Sequence, residues 1–322
     1  MTAGARIGLG LAALGRPGYQ NVGHGADIGS DASVEALRRR THEVLDAAWR
    51  AGVRYIDTAR SYGRAEEFLA GWLAARGIAV GELTVGSKWG YRYTAGWRIK
   101  AEVHEVKDHS LAALREQLAE SRRLLGAHLS LSQIHSATLE TGVLEDAPVL
   151  DELARLRDSG MRVGLTLSGA RQAETLDRAM EIERGGTRLF GSVQATWNLL
   201  EPSAGETLRR ASAMGLFVIV KEALANGHLV RDDAGGQYAD ARRVVAQEAA
   251  RFKTTGDAIA MAAALAQPWA DVVLSGPATV QQLQSNLAAR TIVLPDDVRR
   301  RMSELAVAPQ DYWRYRAGSV WT

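Results

Sequence analysis

Four polar residues that follow or end predicted strands have side chains suited to proton transfer. Asp57 and Tyr62 lie in RYIDTARSYG, residues 54–63, while Lys88 ends LTVGSK and His135 ends LSLSQIH. A lysine ammonium close to a tyrosine favours the phenolate, which lowers the phenol pKa below its usual value of about 10. Asp57 would keep the lysine charged, and the histidine can hydrogen-bond a substrate oxygen. Together these residues predict an acid that protonates an oxygen gaining negative charge.

Each of these residues also has an ordinary structural explanation. An aspartate after a strand often caps a turn or helix, a lysine is usually solvated, and a histidine in an apolar strand is often a core residue. Four such residues on successive strand ends are not explained in this way. The group as a whole therefore predicts a catalytic site.

Short β-type runs alternate with amphipathic helical runs along nearly the whole chain. The strand candidates begin near residues 5, 53, 83, 129, 161, 191, 216 and 271. Helical runs such as THEVLDAAWRAG and SLAALREQLAESRRLLG carry apolar residues at helical spacing and end at glycine. Eight strand–helix units predict an α/β fold, a closed (β/α)8 TIM barrel whose site lies at the C-terminal strand ends. A doubly wound open sheet is the alternative.

The domain prediction is one barrel domain over residues 1–322 with an aromatic-rich C-terminal tail at 307–322. We expect the tail to fold back over the barrel mouth, and a frayed tail is the alternative. Near the N-terminus, Gly8, Gly10 and Ala13 match the G-x-G-x-x-A pattern of dinucleotide-binding turns. Because Gly15 and the following Pro-Gly pair would break the helix that this pattern requires, we expect a barrel strand and no Rossmann domain.

Composition excludes several classes of function. The 322 residues include 39 basic and 37 acidic side chains, mixed along the chain with a net charge of +2, which argues against nucleic-acid binding. Cysteine is absent, so disulfides and thiolate metal sites are excluded, and no metal site is predicted. No membrane span is predicted. The start, MTAGARIGLGLAALG, is interpreted as a first strand rather than a signal peptide, and a cytoplasmic protein of unknown oligomeric state is expected.

The sequence resembles the aldo-keto reductases. The matching segments are YIDTARSYG, VGSKWG, SQIHS, VQATWN and VLSGPATVQQLQSN, and the resemblance covers nearly the whole chain. It implies a barrel that binds NADPH or NADH without a Rossmann domain. It also implies hydride transfer between the nicotinamide and an aldehyde or ketone, or the matching alcohol. Tyr62 would be the general acid or base, assisted by Lys88, Asp57 and His135.

The resemblance also assigns cofactor contacts by position. Gln194 matches a residue that binds the carboxamide, Trp197 an aromatic that stacks on the nicotinamide, and Asn286, placed at the start of the last barrel helix, an adenine contact. The other contacts that the resemblance implies are Thr166, Ser168, Glu222, Leu224, Gly227, Ser275, Gly276 and Gln282.

This sequence departs from the family pattern at three places. Either Thr166 or Ser168 can supply the usual serine hydroxyl, but Leu167 replaces the usual asparagine. Glu222 puts a carboxylate where the pyrophosphate should pass, and its role is open. Gly276 and Gln282 stand where NADPH-preferring relatives carry basic residues for the 2′-phosphate. We therefore expect NADH to compete well with NADPH.

The expected substrate is a small carbonyl compound or sugar. Trp89, Tyr91 and Trp313 are candidate wall residues, although aromatic side chains of this kind also simply pack loops onto a barrel. Three other functions are open. They are an NAD-dependent aldose 1-dehydrogenase, a non-catalytic cofactor-binding regulatory subunit, and a barrel lyase or isomerase without a redox cofactor.

Overall fold

The predicted strands form a closed barrel in the computed structural model, which describes residues 6–231 and 236–322. The barrel strands β1–β8 are Arg6–Gly10, Tyr55–Asp57, Thr84–Trp89, Leu129–Ala137, Arg162–Leu167, Ser192–Thr196, Phe217–Lys221 and Val272–Ser275. Each strand pairs in parallel with its neighbours, and β1 closes the barrel by pairing with both β8 and β2. The eight strand predictions and the barrel are confirmed, and the open-sheet alternative is wrong. Ala5, in the predicted first strand, lies outside the described residues.

Helices surround the barrel. They are α1 His24–Ile28, α2 Val34–Arg50, α3 Ala65–Arg76, α4 Leu111–Leu125, α5 Ala147–Asp158, α6 Gln172–Met180, α7 Gly205–Ala213, α8 Ala239–Arg251, α9 Gly256–Leu265, α10 Val280–Leu287, α11 Asp296–Ser303 and α12 Pro309–Ala317. Side chains of Ser33, Ser110 and Asp146 accept backbone N–H bonds at the starts of α2, α4 and α5. In the described parts of the chain, no helix combines the length and hydropathy of a membrane span.

Two short antiparallel hairpins extend from the barrel. One pairs Tyr91–Tyr93 with Glu105–Lys107, and the other pairs Glu183–Arg184 with Thr187–Arg188. The first hairpin follows β3 directly, so it carries Tyr91 and Glu105 to the C-terminal end of the barrel.

The floor of the barrel explains the glycine pattern near the N-terminus. Tyr55, Leu131, Ile219 and Val272 form a buried cluster inside the barrel. A Cβ atom on Gly8 would lie 2.7 Å from the Val272 side chain and 2.9 Å from the Tyr55 ring. Gly8 is therefore required by close packing of barrel side chains, and the G-x-G-x-x-A run belongs to a barrel strand rather than to a Rossmann turn.

The C-terminal tail lies over the barrel mouth. The backbone N–H and carbonyl of Thr322 bond the carbonyl and N–H of Tyr19, each at 3.1 Å. The Trp321 ring stacks on His104 with 4.1 Å between ring centroids. The segment is folded onto the first loop and the β3 hairpin, so the alternative of a frayed tail is wrong.

Candidate active site

Three neighbouring strands bring Asp57, Lys88 and His135 to the C-terminal end of the barrel. Asp57 ends β2, and Lys88 and His135 lie near the ends of β3 and β4. The Lys88 ammonium donates hydrogen bonds to the Asp57 carboxylate and, at 2.9 Å, to the Thr58 carbonyl. Because Lys88 and Asp57 are both only 2% exposed, each buried charge depends on the other for compensation.

Tyr62 lies in the loop after β2 and covers this ion pair. Its ring centroid is 4.7 Å from the Lys88 ammonium nitrogen, and its ring meets His135 edge-on at 5.6 Å. Burial, followed by the Asp57 charge, holds the pKa of Tyr62 well above its ordinary value. The predicted lowering of this pKa is wrong, because burial of the phenol disfavours the phenolate and the nearby Asp57 carboxylate adds to that effect.

His135 is a neutral hydrogen-bonding group in this site. Its Nδ1 lies 3.4 Å from the Ser61 hydroxyl, and its ring packs edge-on against Tyr91 at 4.9 Å. Burial, with Lys88 and Arg16 adding to it, lowers the pKa of His135 well below its ordinary value. A neutral imidazole can donate one hydrogen bond to a substrate oxygen and carries no charge into the site.

Sequence reasoning missed Arg16. This residue is 2% exposed and donates to the Ser61 carbonyl at 2.9 Å and to Glu105 at 2.8 Å. Its guanidinium carbon lies 5.4 Å from the Tyr62 ring centroid and 4.7 Å from that of Trp321. The RPG run containing Arg16 was interpreted only as a helix breaker. Its partner Glu105 is distant in sequence, so no local pattern marked the pair.

A cavity of about 380 Å³ opens above these residues. Its size lies within the usual range for small-molecule sites, roughly 300–1,000 Å³. Polar residues dominate the lining, which includes Gly10, Arg16, Tyr19, Asp57, Tyr62, Tyr91, Glu105, His135, Thr166, Ser168, Gln194, Lys221, Glu222, Leu224, Asn226, Ser275, Gly276, Arg316 and Trp321. Lys88 lies just beneath this lining, bonded to Asp57.

Two of the side chains assigned to the cofactor carboxamide already make hydrogen bonds within the protein. Gln194 donates to Asp57 at 2.7 Å, and Thr166 accepts a 2.7 Å bond from the Ser136 N–H. Ser168 lines the same cavity. Leu167 is fully buried between these two residues on the opposite face of β5. Of the two candidate hydroxyls, Ser168 is therefore the better placed to reach a ligand.

Trp197 lies away from the described cavity lining, and its stacking on the nicotinamide stays a prediction. Trp197 is not among the described residues that line the cavity, and its ring packs edge-on against Trp269, 6.0 Å away. The cause is strand alternation, because Gln194 and Thr196 point into the barrel and the next residue points outward. Lys221, opposite Thr196 on β7, occupies the cavity instead.

Glu222 is part of a buried ionic cluster. Arg316 from α12 donates to its carboxylate through both Nε and a terminal nitrogen, and Thr196 donates to it at 3.0 Å. Burial alone would raise the Glu222 pKa, but Arg316 and Lys221 lower it to about 2. The carboxylate left unexplained by the sequence thus binds the C-terminal helix to the barrel mouth.

The residues assigned to the adenine end lie around β8 and α10. Ser275 and Gly276 line the cavity, and a Cβ atom on Gly276 would meet no atom within 4 Å. Gln282 accepts a 2.7 Å bond from the Ala278 N–H. Asn286 lies in the last turn of α10 rather than at its start, so that prediction is wrong, and it donates to Ser275 at 2.7 Å.

Leu224 and Gly227 follow β7. Leu224 lines the cavity, whereas Gly227 is not among the described lining residues and packs against Val22 and Asn21. A left-handed backbone at Gly227, with a φ of 89°, accounts for the glycine there.

Of the three predicted aromatic wall residues, only Tyr91 reaches the cavity among the residues described. Trp89 is buried against His109, and Trp313 packs against Tyr312, so neither lies on the described cavity lining and their contact with substrate stays a prediction. Trp89 is next to Lys88 on β3 and must therefore point to the opposite face of the strand. Trp321 of the tail and Tyr19 of the first loop supply the aromatic surface instead.

Comparisons with known proteins found similarity over most of the chain. Residues 6–307 match the model of the aldo/keto reductase family. The chain is 24% identical over 302 residues to the uncharacterized oxidoreductase YrpG of Bacillus subtilis strain 168, covering 86% of this chain and 90% of that protein.

Solved structures share the fold. The holo form of the aldo-keto reductase AKR11C1 from Bacillus halodurans superposes with a TM-score of 0.67 at 20% identity, over 94% of this chain and 92% of that one. The glycerol dehydrogenase AKR11B4 from Gluconobacter oxydans gives 0.68 at 19% identity, over 95% of this chain and 92% of that one.

Proposed function

The chain belongs to the aldo-keto reductase family and is an oxidoreductase, and we propose that it transfers hydride between NADH or NADPH and a small carbonyl compound or the matching alcohol. The catalytic unit is a single barrel domain with its C-terminal tail across the mouth. The observation that supports this most directly is the buried Lys88–Asp57 pair beneath Tyr62, with His135 at its edge.

Tyr62 acts as the general acid in the reductive direction. Its raised pKa keeps the hydroxyl protonated at neutral pH, so the proton is available when the substrate oxygen becomes basic. Neutral His135 donates a hydrogen bond to the same oxygen and fixes its direction. Lys88, held by Asp57, stabilises the negative charge that then develops on Tyr62. In the oxidative direction Tyr62 takes the proton back.

The residues present fit a nicotinamide cofactor. When bound, the cofactor supplies or takes up the hydride. Ser168 and Gln194 would hold the carboxamide, and the open space beside Gly276 leaves room for the rest of the dinucleotide. Asn286 is 3% exposed, and its Oδ1 has no partner among the described residues, so it retains an acceptor at the side assigned to the adenine.

We propose that NADH competes well with NADPH. Discrimination for the 2′-phosphate rests on basic side chains. Gly276 carries no side chain, and the Gln282 amide is uncharged and accepts a bond from its own loop. No Lys or Arg occurs between Leu274 and Asn286.

Separate titrations with NADH and NADPH, followed by tryptophan fluorescence, test cofactor binding. A screen of aldehydes, ketones, sugars and alcohols with the better cofactor then tests turnover. We expect Tyr62→Phe to lower kcat by about 10²–10⁴-fold while cofactor affinity is kept. The matched control is Tyr55→Phe, which removes a buried hydroxyl with no described partner from the barrel floor and should leave turnover intact.

Two outcomes would overturn the proposal. The first is a protein that binds neither cofactor, which would mean that the departures from the family pattern have dismantled the site. The second is full activity in Tyr62→Phe, which would remove the proton donor assigned here. Binding without any turnover would favour the regulatory-subunit alternative.

A second candidate is an NAD-dependent aldose 1-dehydrogenase. The absence of a basic side chain at positions 276 and 282 favours it, because an oxidative enzyme gains from using NAD⁺. Oxidation of free sugars with NAD⁺ that is faster than any carbonyl reduction with NADH would identify this activity.

A further inference from the structure

Lys221 is a charged cavity residue to which the mechanism above gives no role. It is the last residue of β7, opposite Thr196 of β6, and its ammonium donates to the Thr196 hydroxyl at 2.8 Å. Its side chain is 16% exposed and lines the same cavity as Tyr62, Gln194 and Ser168. Any ligand that fills the cavity therefore meets this amine.

The three carboxylates of the described lining already have cationic partners. Asp57 is bonded to Lys88, and Glu105 is bonded to Arg16. The third, Glu222, is held by the two nitrogens of Arg316.

Lys221 is the remaining cation of this group. It lies 3.6 Å from Glu222, with the Trp313 ring centroid 5.7 Å away. Burial lowers the pKa of Lys221 to about 8, against the attraction of Glu222 and with repulsion from Arg316 and Lys88. Most Lys221 side chains are thus charged at pH 7. When Lys88 beneath the lining is counted with Arg16, Arg316 and Lys221, the described cations exceed the three carboxylates by one.

An excess cation distinguishes the two redox states of a nicotinamide. The oxidised ring carries a positive charge and the reduced ring is neutral, while the diphosphate is the same in both. Like charges repel strongly where water is scarce. We propose that Lys221 makes the site bind the reduced cofactor in preference to the oxidised one, and so favours loading of the reduced form and release of the oxidised form.

This inference rests on the proposed function, because it requires the nicotinamide to reach Tyr62 in this cavity. It concerns affinity rather than chemistry, so it is tested by binding alone. The competing role for Lys221 is a contact with the cofactor diphosphate. That contact would strengthen both redox states equally and leave their ratio unchanged.

The experiment measures dissociation constants for NADH, NAD⁺, NADPH and NADP⁺ at pH 7 in wild type, Lys221→Met and Lys221→Arg. We expect the ratio of oxidised to reduced dissociation constants to fall about tenfold or more in Lys221→Met, mainly because the oxidised form binds better. Lys221→Arg keeps the charge and should keep the ratio. Lys253→Met, which removes an exposed lysine from the turn after α8, is the matched control and should also keep the ratio.

The other possible results separate a failure of this inference from a failure of the proposed function. An unchanged ratio in Lys221→Met, or equal weakening of both redox states, overturns the inference and leaves the proposed function standing. A wild type that binds none of the four cofactors overturns the proposed function itself. Circular dichroism of each variant shows whether a lost affinity reflects a lost fold.

Discussion

At the scale of single residues, the site is governed by burial and pairing of charge. Lys88 and Asp57 compensate each other, and the Tyr62 ring lies over this pair. Burial raises the pKa of Tyr62, so the tyrosine stays protonated, and lowers the pKa of His135, so the histidine stays neutral. Both features favour donation of a proton and of a hydrogen bond to a substrate oxygen.

The pH dependence of turnover follows from the direction of these shifts. Because the pKa of Tyr62 is raised well above its ordinary value, the acid form persists throughout pH 6–9, and kcat for carbonyl reduction should stay flat there. Alcohol oxidation needs the phenolate and should accelerate up to the highest pH tested. Steady-state kcat in both directions checks this. A fall in reductive kcat with a midpoint between pH 6 and 9 would contradict it.

Removing one partner of the buried pair should destabilise the fold. Asp57→Asn leaves the Lys88 ammonium buried without its carboxylate, and we expect the free energy of unfolding to fall by roughly 3–5 kcal/mol. Denaturant unfolding followed by circular dichroism measures the change. Glu174→Gln, which breaks the exposed pair with Arg171, is the control and should leave the midpoint within error. Equal effects of the two substitutions would argue against a compensated buried pair.

At the scale of elements, strand alternation decides which side chains reach the cavity. Gln194 of β6 points inward and Trp197, the residue after the end of β6, points outward, while on β3 Lys88 points inward and Trp89 outward. The family resemblance matches residue types along the chain, but it does not say which face of a strand each residue occupies. Local contacts also fix the side chains of the loop from β8 into α10, because the Gln282 side chain accepts a hydrogen bond from the Ala278 N–H.

The loop from β8 into α10 carries the two positions that we expect to decide between NADPH and NADH. Gly276 has open space around its Cα, so Gly276→Lys with Gln282→Arg should add a phosphate clamp without a clash. We expect the ratio of kcat/KM for NADPH to that for NADH to rise by about tenfold or more in the double variant. Gly276→Met with Gln282→Met controls for bulk. The same increase in that control would show that charge is not the cause.

At the scale of the whole molecule, the C-terminal tail completes a site that the barrel begins. Arg316 binds Glu222, the residue that follows β7, and the backbone of Thr322 pairs with that of Tyr19 in the first loop. Trp321 lies between His104 and Arg16 and forms part of the cavity wall. Residues from both ends of the chain thus meet above Tyr62.

Truncation after Ala317 tests the contribution of the tail. It removes Trp321 and Thr322 but keeps Arg316, so the ionic cluster at Glu222 should survive. Because the aromatic wall is lost while the proton donor remains, we expect KM for the carbonyl substrate to rise about tenfold with kcat little changed. An unchanged KM would show that the tail does not contact the substrate. Trp313→Phe, outside the described lining, serves as control.

The sequence by itself determined the architecture and which polar residues meet at the C-terminal end of the barrel. All eight barrel strands were predicted, because each is a short apolar run followed by a helical period. Asp57, Lys88 and His135 were placed at one rim, because parallel strands bring their C-terminal ends together. These inferences need only local patterns and one topological rule.

Only the tertiary structure decided which distant residues meet and in which direction each side chain points. Arg16 with Glu105, and Glu222 with Arg316, are pairs between segments far apart in the chain, so no local spacing marks them. The raised pKa of Tyr62 follows from burial of its side chain and from the nearby Asp57 charge. Burial and long-range contact are properties of the closed barrel and its tail, and local sequence patterns do not contain them.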